Sequence, residues 1–354
     1  MRDELDVFVP GRLCLFGEHS DWAGGYRREN PALTPGYCIA VGTEQGIRAR
    51  VCRNNGEFVA RSLRPDTGTV ETVRAPMAIE PLVRIAREGG FWSYAAGTAA
   101  EALRDHDCGG VTIDCYAMDL PLRKGLSSSA AICTLTARAL NQLYGLGLSV
   151  RGEMELAYRG EVATPSRCGR MDQICAYGSI PCFLTFDGDG MEVEPLSVGG
   201  LFYYLIVDLN GEKDTVRILA DLNACYPNAP GPIARSVRDA LGPENREIVG
   251  VARHALIQGN ALALGALMRR AQLVFDRQVA PACPQQLEAP LLHQALALPA
   301  LQPLILGAKG VGSQGDGTAQ FLTKGPQEQD EARDILKRML GMNSYHLTLA
   351  PQQS

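Results

Sequence analysis

Apolar positions along this chain fall into short strand-like runs that alternate with longer helical stripes. Residues 7–9 and 13–16 read as two short strands on either side of Pro10-Gly11. Residues 36–41 and 47–52 are further apolar or β-branched runs, with Arg48 and Arg50 alternating with small residues. From 78 to 103 apolar residues recur at helical intervals, interrupted by Gly89-Gly90, which predicts two helices and a turn. Val111, Ile113 and Cys115 alternate within a strand over 110–118. The clearest helix spans 127–144, where Ile132, Leu135, Ala139 and Leu143 form one stripe between serines at the start and Gly145 at the end. Another helix is predicted over 152–162.

Around Asp187 to Gly190 the composition turns polar and the first half closes. The second half opens with an apolar strand over 201–207, followed by helical patterns at 215–223 and 260–275. A Gly-rich stretch at 305–323 lies between strand-like ends, and 331–340 is helical. There is no internal repeat. The pattern predicts two α+β domains, 1–195 and 196–354.

With 354 residues, the chain is long enough for two cores without metals or disulfides. The net charge of −5 opposes a dominant nucleic-acid or anionic-membrane surface, while leaving room for a local basic pocket. No apolar run of about 18 residues is present, and the acidic start, Met-Arg-Asp-Glu-Leu-Asp, does not resemble a signal peptide. The eleven cysteines include no Cys-x-x-Cys pair; Cys168, Cys175 and Cys182 lie seven apart without a nearby ligand set. Reduced, mostly buried thiols in a cytoplasmic protein are expected.

Four segments carry chemistry. In Arg123-Lys124-Gly125-Leu126-Ser127-Ser128-Ser129-Ala130 a glycine and three serines open the strongest helix. Unpaired N–H groups at a helix start favour an anion, so phosphate binding is expected there; one serine would suffice for capping alone. In Gly11-Arg12 through Gly25 a short strand delivers Glu18, His19, Asp21 and Trp22 into a loop, a set that suits a polyhydroxylated ligand. Glu161 and Asp172, the latter following Gly169 and Arg170, could divide metal binding from activation of a nucleophile, although surface carboxylates are common. Gly310, Gly312 and Gly315 satisfy G-x-G-x-x-G but lead into a strand, which opposes a dinucleotide fold and suits a turn where backbone approaches a ligand.

Together these segments resemble the GHMP kinase superfamily, and its galactokinases most closely. The stretch from Gly11-Arg12 to Gly17-Glu18-His19-Ser20-Asp21-Trp22 is similar to the first family motif, Gly125 to Ala130 to the second, and Gly310 to Gly317 to the third. Cys168 to Gln173 resembles the stretch bearing the catalytic aspartate, and Phe91 to Tyr94 also has a galactokinase character. The resemblance implies a GHMP kinase fold: an N-terminal α/β domain (ribosomal S5 domain 2-like) and a ferredoxin-like C-terminal domain, with the active site in the cleft. It implies Asp172 as the catalytic aspartate, with Arg12 beside the transferring phosphate. Ser129 and Glu161 would bind Mg²⁺, Lys124 to Ala130 would wrap ATP, and Glu18, His19 and Asp21 would hold sugar hydroxyls, with Trp22, Gly169 and Arg170 beside them.

The expected activity is ATP-dependent phosphorylation of a small molecule, foremost the anomeric hydroxyl of a galactose-like sugar or uronic acid, by a monomer or homodimer without nucleic-acid or membrane partners. A GHMP kinase for a sugar phosphate or non-sugar alcohol, and a sensor without turnover, are the alternatives. Three departures stand out: the long charged insertion at 26–35, Gln314 and Asp316 within the third motif, and Arg170 where a small apolar residue is usual. Arg170, with Arg27 or Arg28, could read an anionic group on the acceptor; an internal ion pair is the other explanation.

Overall fold

The computed structural model describes residues 4–63, 69–120, 126–166 and 168–352, which form a mixed α/β protein. The first half comprises β1 (Glu4–Phe16), α1 (Ser20–Gly25), β2 (Gly36–Asn54), β3 (Glu57–Leu63), β4 (Val70–Pro76), α2 (Ile79–Glu88) and α3 (Ser93–Asp105). It continues with β5 (Gly110–Met118), α4 (Ser128–Tyr144), α5 (Val150–Val162), a 3₁₀ turn at Asp172–Tyr177, β6 (Cys182–Asp187) and β7 (Gly190–Pro195). After β8 (Phe202–Asp208) come α6 (Thr215–Asn223), α7 (Pro232–Asp239), α8 (Asn245–Ile257) and α9 (Ala261–Val274). Two short helices, α10 (Pro284–Leu287) and α11 (Pro290–Leu296), precede β9 (Ile305–Gly310), β10 (Thr318–Thr323), α12 (Pro326–Leu340) and β11 (Asn343–Leu349).

Two expected breaks are absent. β1 runs unbroken through Pro10-Gly11 and β2 through Gly42. The glycines mark close backbone approach rather than turns. A Cβ on Gly11 would lie 2.9 Å from the Leu126 carbonyl oxygen, and the neighbouring Arg12 N–H donates to that oxygen at 2.9 Å. Gly42 N–H donates to Gly178 O at 2.9 Å, and a Cβ there would clash with the same oxygen.

By internal contacts the chain forms two compact units, 1–12 with 42–179 and 13–41 with 180–354. The partition follows the strands rather than one point in the sequence, because β1 and β2 contribute residues to both. In the first unit the strand order is β4-β3-β5-β2. β3 pairs parallel with β5, Phe58 opposite Val111, while β2 pairs antiparallel with β5, Ile47 opposite Met118. α4 is buried on all sides from Ala130 to Ala137, as expected of a central helix. α3 and α5 cross at Gly97 and Gly160, where a Cβ on Gly160 would strike Thr98.

The second unit holds an antiparallel sheet in the order β11-β8-β10-β9. Leu205, Val207 and Phe321 from its strands pack with Leu292, Ile335 and Leu336. A second core gathers Ala23, Ile218, Leu222, Tyr226, Leu241 and Phe275. The β6–β7 hairpin, which turns at Asp187–Gly190, pairs with the start of β2, Gly36 opposite Phe186.

Candidate active site

In the first unit, Arg12 near the middle of β1 forms an ion pair with Asp172, which opens the 3₁₀ turn. That turn is fixed on α4. Arg138 donates to Ala176 O at 2.6 Å and to Glu153 at 2.9 Å, and Thr134 Oγ1 lies 3.3 Å from Cys175 Sγ. Glu161, buried near the end of α5, accepts from Gln173 Nε2 at 2.8 Å and from the Ser129 hydroxyl. Burial foremost, then the charge of Asp172, pushes the Glu161 carboxyl up to about 7, against hydrogen bonds from Ser129, Gln173 and Cys168 that favour ionisation. Arg12, Asp172, Glu161 and Ser129 thus share one region at the start of α4.

Ser127 caps α4 with φ 56° and makes no side-chain cap bond. Ser128 and Ser129 are half-buried in its first turn, while Leu126 and Ala130 are buried. Lys124 and Gly125 lie outside the described residues. Arg170 points to α5: it pairs with Glu155 at 3.1 Å and sits 4.5 Å above the Tyr158 ring centroid. Gly169 precedes it, half-buried.

In the second unit, Glu18 and His19 are buried just before α1, which carries Asp21 and Trp22, both half-buried. Glu18 is ion-paired with Lys309, a lysine with no exposed surface that also donates to Gly310 O at 2.8 Å. His19 is held at φ 70° and accepts from Trp22 Nε1 at 3.1 Å through Nδ1. Burial first, then the positive charges of Lys213 and Lys309, pushes the imidazole down to about 3, so the ring is neutral at ordinary pH. Trp22 meets Tyr226 edge-on at 5.3 Å, and Tyr226 stacks on Tyr26 at the same separation. Arg27 pairs with Asp187 at 2.5 Å and Arg28 with Asp189 at 2.9 Å. Each arginine considered for an anionic acceptor therefore has an internal partner.

Gln173, Lys309 and Tyr226 escaped sequence reasoning. Gln173 and Lys309 stand inside motifs read for their carboxylates and glycines, and nothing in the local pattern marks Tyr226.

The fold is that of the GHMP kinases. Residues 93–179 match the family model for the GHMP kinases N terminal domain. Lactococcus lactis galactokinase, solved with galactose, superposes with a TM-score of 0.76 at 16% identity, covering 100% of this chain and 95% of that one. L. major mevalonate kinase, solved with R-mevalonate, gives 0.74 at 19% identity, covering 100% and 99%. Among curated proteins, the galactokinase of Halalkalibacterium halodurans is 34% identical over 42% of this chain and 33% of its own length. That of Clostridium acetobutylicum is 28% identical over 60% and 51%. The matched stretches thus span about a third to a half of those relatives.

Proposed function

We propose that the protein is an ATP-dependent kinase that transfers the γ-phosphate to a sugar hydroxyl, foremost the anomeric hydroxyl of a galactose-like monosaccharide. The Arg12–Asp172 pair beside Glu161 and Ser129 carries the reading. It sets a carboxylate to orient or accept a hydroxyl proton next to a fixed guanidinium and a helix start whose N–H groups suit phosphates. The similarity to galactokinases supports a sugar as acceptor. The internal partners of Arg27, Arg28 and Arg170 favour a neutral sugar over a uronic acid.

Glu161 and Ser129 offer hard oxygen donors, one of them a buried carboxylate, which fits Mg²⁺ held largely by nucleotide phosphates. Among the described residues no cluster of three His, Cys, Asp or Glu forms a self-sufficient metal cage. Bound there, Mg²⁺ would supply charge neutralisation of the triphosphate. The chain's own residues do the positioning: Arg12 steadies negative charge, Asp172 aligns the acceptor hydroxyl, and Ser127 to Ala130 present the opening of α4 to the phosphates.

Replacing Asp172 with Asn tests the assignment. ADP release should fall by several orders of magnitude while ATP still raises the melting temperature; near-normal turnover would contradict it.

A further inference from the structure

Gln173 has no exposed surface, and the two atoms of its amide are used unequally. Nε2 donates to Glu161 Oε2 at 2.8 Å, while Oε1 is buried without a hydrogen-bond partner. An unsatisfied buried carbonyl is a standing cost that an apolar side chain of the same length would not carry. Packing therefore does not account for an amide at this position; the bond made by its donor half does. Both ends of that bond stand on fixed backbone within the first unit. The 3₁₀ turn of Gln173 is closed by Ile174 N–H donating to Met171 O at 3.2 Å and is tied to α4 by Arg138, which donates to Ala176 O at 2.6 Å. Glu161 ends the buried face of α5, where Thr164 donates to its carbonyl oxygen through both N–H, at 3.0 Å, and Oγ1, at 2.7 Å.

The kind of donor is as informative as its place. Glu161 is 1% exposed, and a charged carboxylate so enclosed needs donors. A guanidinium or an ammonium would supply them while cancelling the charge in an ion pair. A neutral amide fixes one carboxylate oxygen and leaves the negative charge available to a cation. The other oxygen, Oε1, has the Ser166 hydroxyl at a looser 3.5 Å, and the Ser129 hydroxyl also donates to this carboxylate. Carboxylates that hold metals are oriented in this way by hydrogen bonds from groups behind them.

We propose that Gln173 is a positioning residue for the divalent cation: its amide grips Glu161 by Oε2 and holds the carboxylate, unneutralised, beside Ser129, where Mg²⁺ would bind. The assignment rests on the kinase reading above, in which Glu161 and Ser129 hold that ion. Asp172 immediately precedes Gln173, so one 3₁₀ turn fixes both the carboxylate assigned to the acceptor hydroxyl and the carboxylate assigned to the metal.

Binding of a non-hydrolysable ATP analogue, without acceptor, would be measured by calorimetry in EDTA and across a Mg²⁺ titration for wild type and Gln173→Met. Methionine keeps an unbranched chain of similar length and removes both amide atoms. The expected result is a Mg²⁺ constant about 10–100-fold weaker, an unchanged metal-free affinity for the nucleotide, and a loss of ADP release that excess Mg²⁺ reverses. Gln173→Asn, which withdraws the amide by one methylene, should shift the Mg²⁺ constant in the same direction and decides the matter if the methionine variant does not fold. A wild-type Mg²⁺ constant in the folded variant would overturn the role of Gln173. Loss of metal-free nucleotide binding or of the folding transition in both variants would mark a structural residue and overturn it too. Nucleotide binding by the wild type that ignores Mg²⁺ would overturn it whatever the turnover. A Gln173-dependent Mg²⁺ constant in a wild type that releases no ADP with any monosaccharide would overturn the sugar-kinase reading alone.

Discussion

Lys309 is the most deeply buried cation among the described residues, and its partner Glu18 lies almost three hundred positions away. Removing one member of such a pair strands the other, whereas removing both does not. Lys309→Met should therefore destabilise the protein by about 3–5 kcal/mol in urea unfolding, and Glu18→Gln with Lys309→Met should recover much of the loss. Equal stabilities for the single and double variants would contradict the coupling. His19 gives a pH signature. Its folded-state value of about 3 lies below the ordinary 6.5, so the unfolded chain binds a proton that the folded one refuses. Its contribution is present above pH 6.5 and is lost as pH falls towards 3. His19→Gln should flatten the acid side of the melting curve across that range, and an unchanged slope would sink the argument. Glu18 and His19 were legible as candidates because unusual polar side chains cluster in one short segment, whereas Asp172 and Glu161, eleven residues apart, were weak on their own and drew their roles from the family resemblance. Lys309 and Gln173 were not, because their meaning comes from partners brought by the fold. Arg170 looked anomalous in sequence, and only its contacts with Glu155 and Tyr158 account for it.

At the level of elements, the crossing of α3 and α5 sets where Glu161 stands. Gly160 immediately precedes Glu161, and its missing side chain lets α5 close on Thr98. Gly160→Ala should overpack the crossing, costing about 1–3 kcal/mol in urea unfolding, and should lower turnover by shifting Glu161. Full stability and activity in that variant would show that the crossing is not a constraint. Elements with a clear apolar period were the most legible part of the chain: helix α4 begins within a residue of expectation, and helix α6 and strand β5 match it at both ends. Strands containing glycine were cut too early, since a glycine that admits a neighbouring backbone looks in sequence like one that makes a turn. The region of α7 and α8 went unread, and a wide helical turn at Ala240–Glu244 containing Pro243 joins them. A proline inside continuous helix is a stop signal by local rules, and it is overridden here.

For the whole molecule, the mixed α/β architecture followed from the alternation of periodicities, and the GHMP kinase fold from four ordered motifs. Contact-based units cannot be read from such order, because β1 and β2 belong to both. Arg12, Asp172, Glu161 and Ser129 fall in one unit, while Glu18, His19, Asp21, Trp22, Lys309 and Gln314 fall in the other. No helix among the described residues is long and apolar enough to cross a membrane. The most direct test of the central claim is coupled ADP release from MgATP across neutral monosaccharides, uronic acids, sugar phosphates and mevalonate. The account predicts turnover on a neutral monosaccharide that disappears in Asp172→Asn. Turnover confined to mevalonate or to an anionic acceptor, or ATP-stabilised protein that turns over none of them, would contradict it.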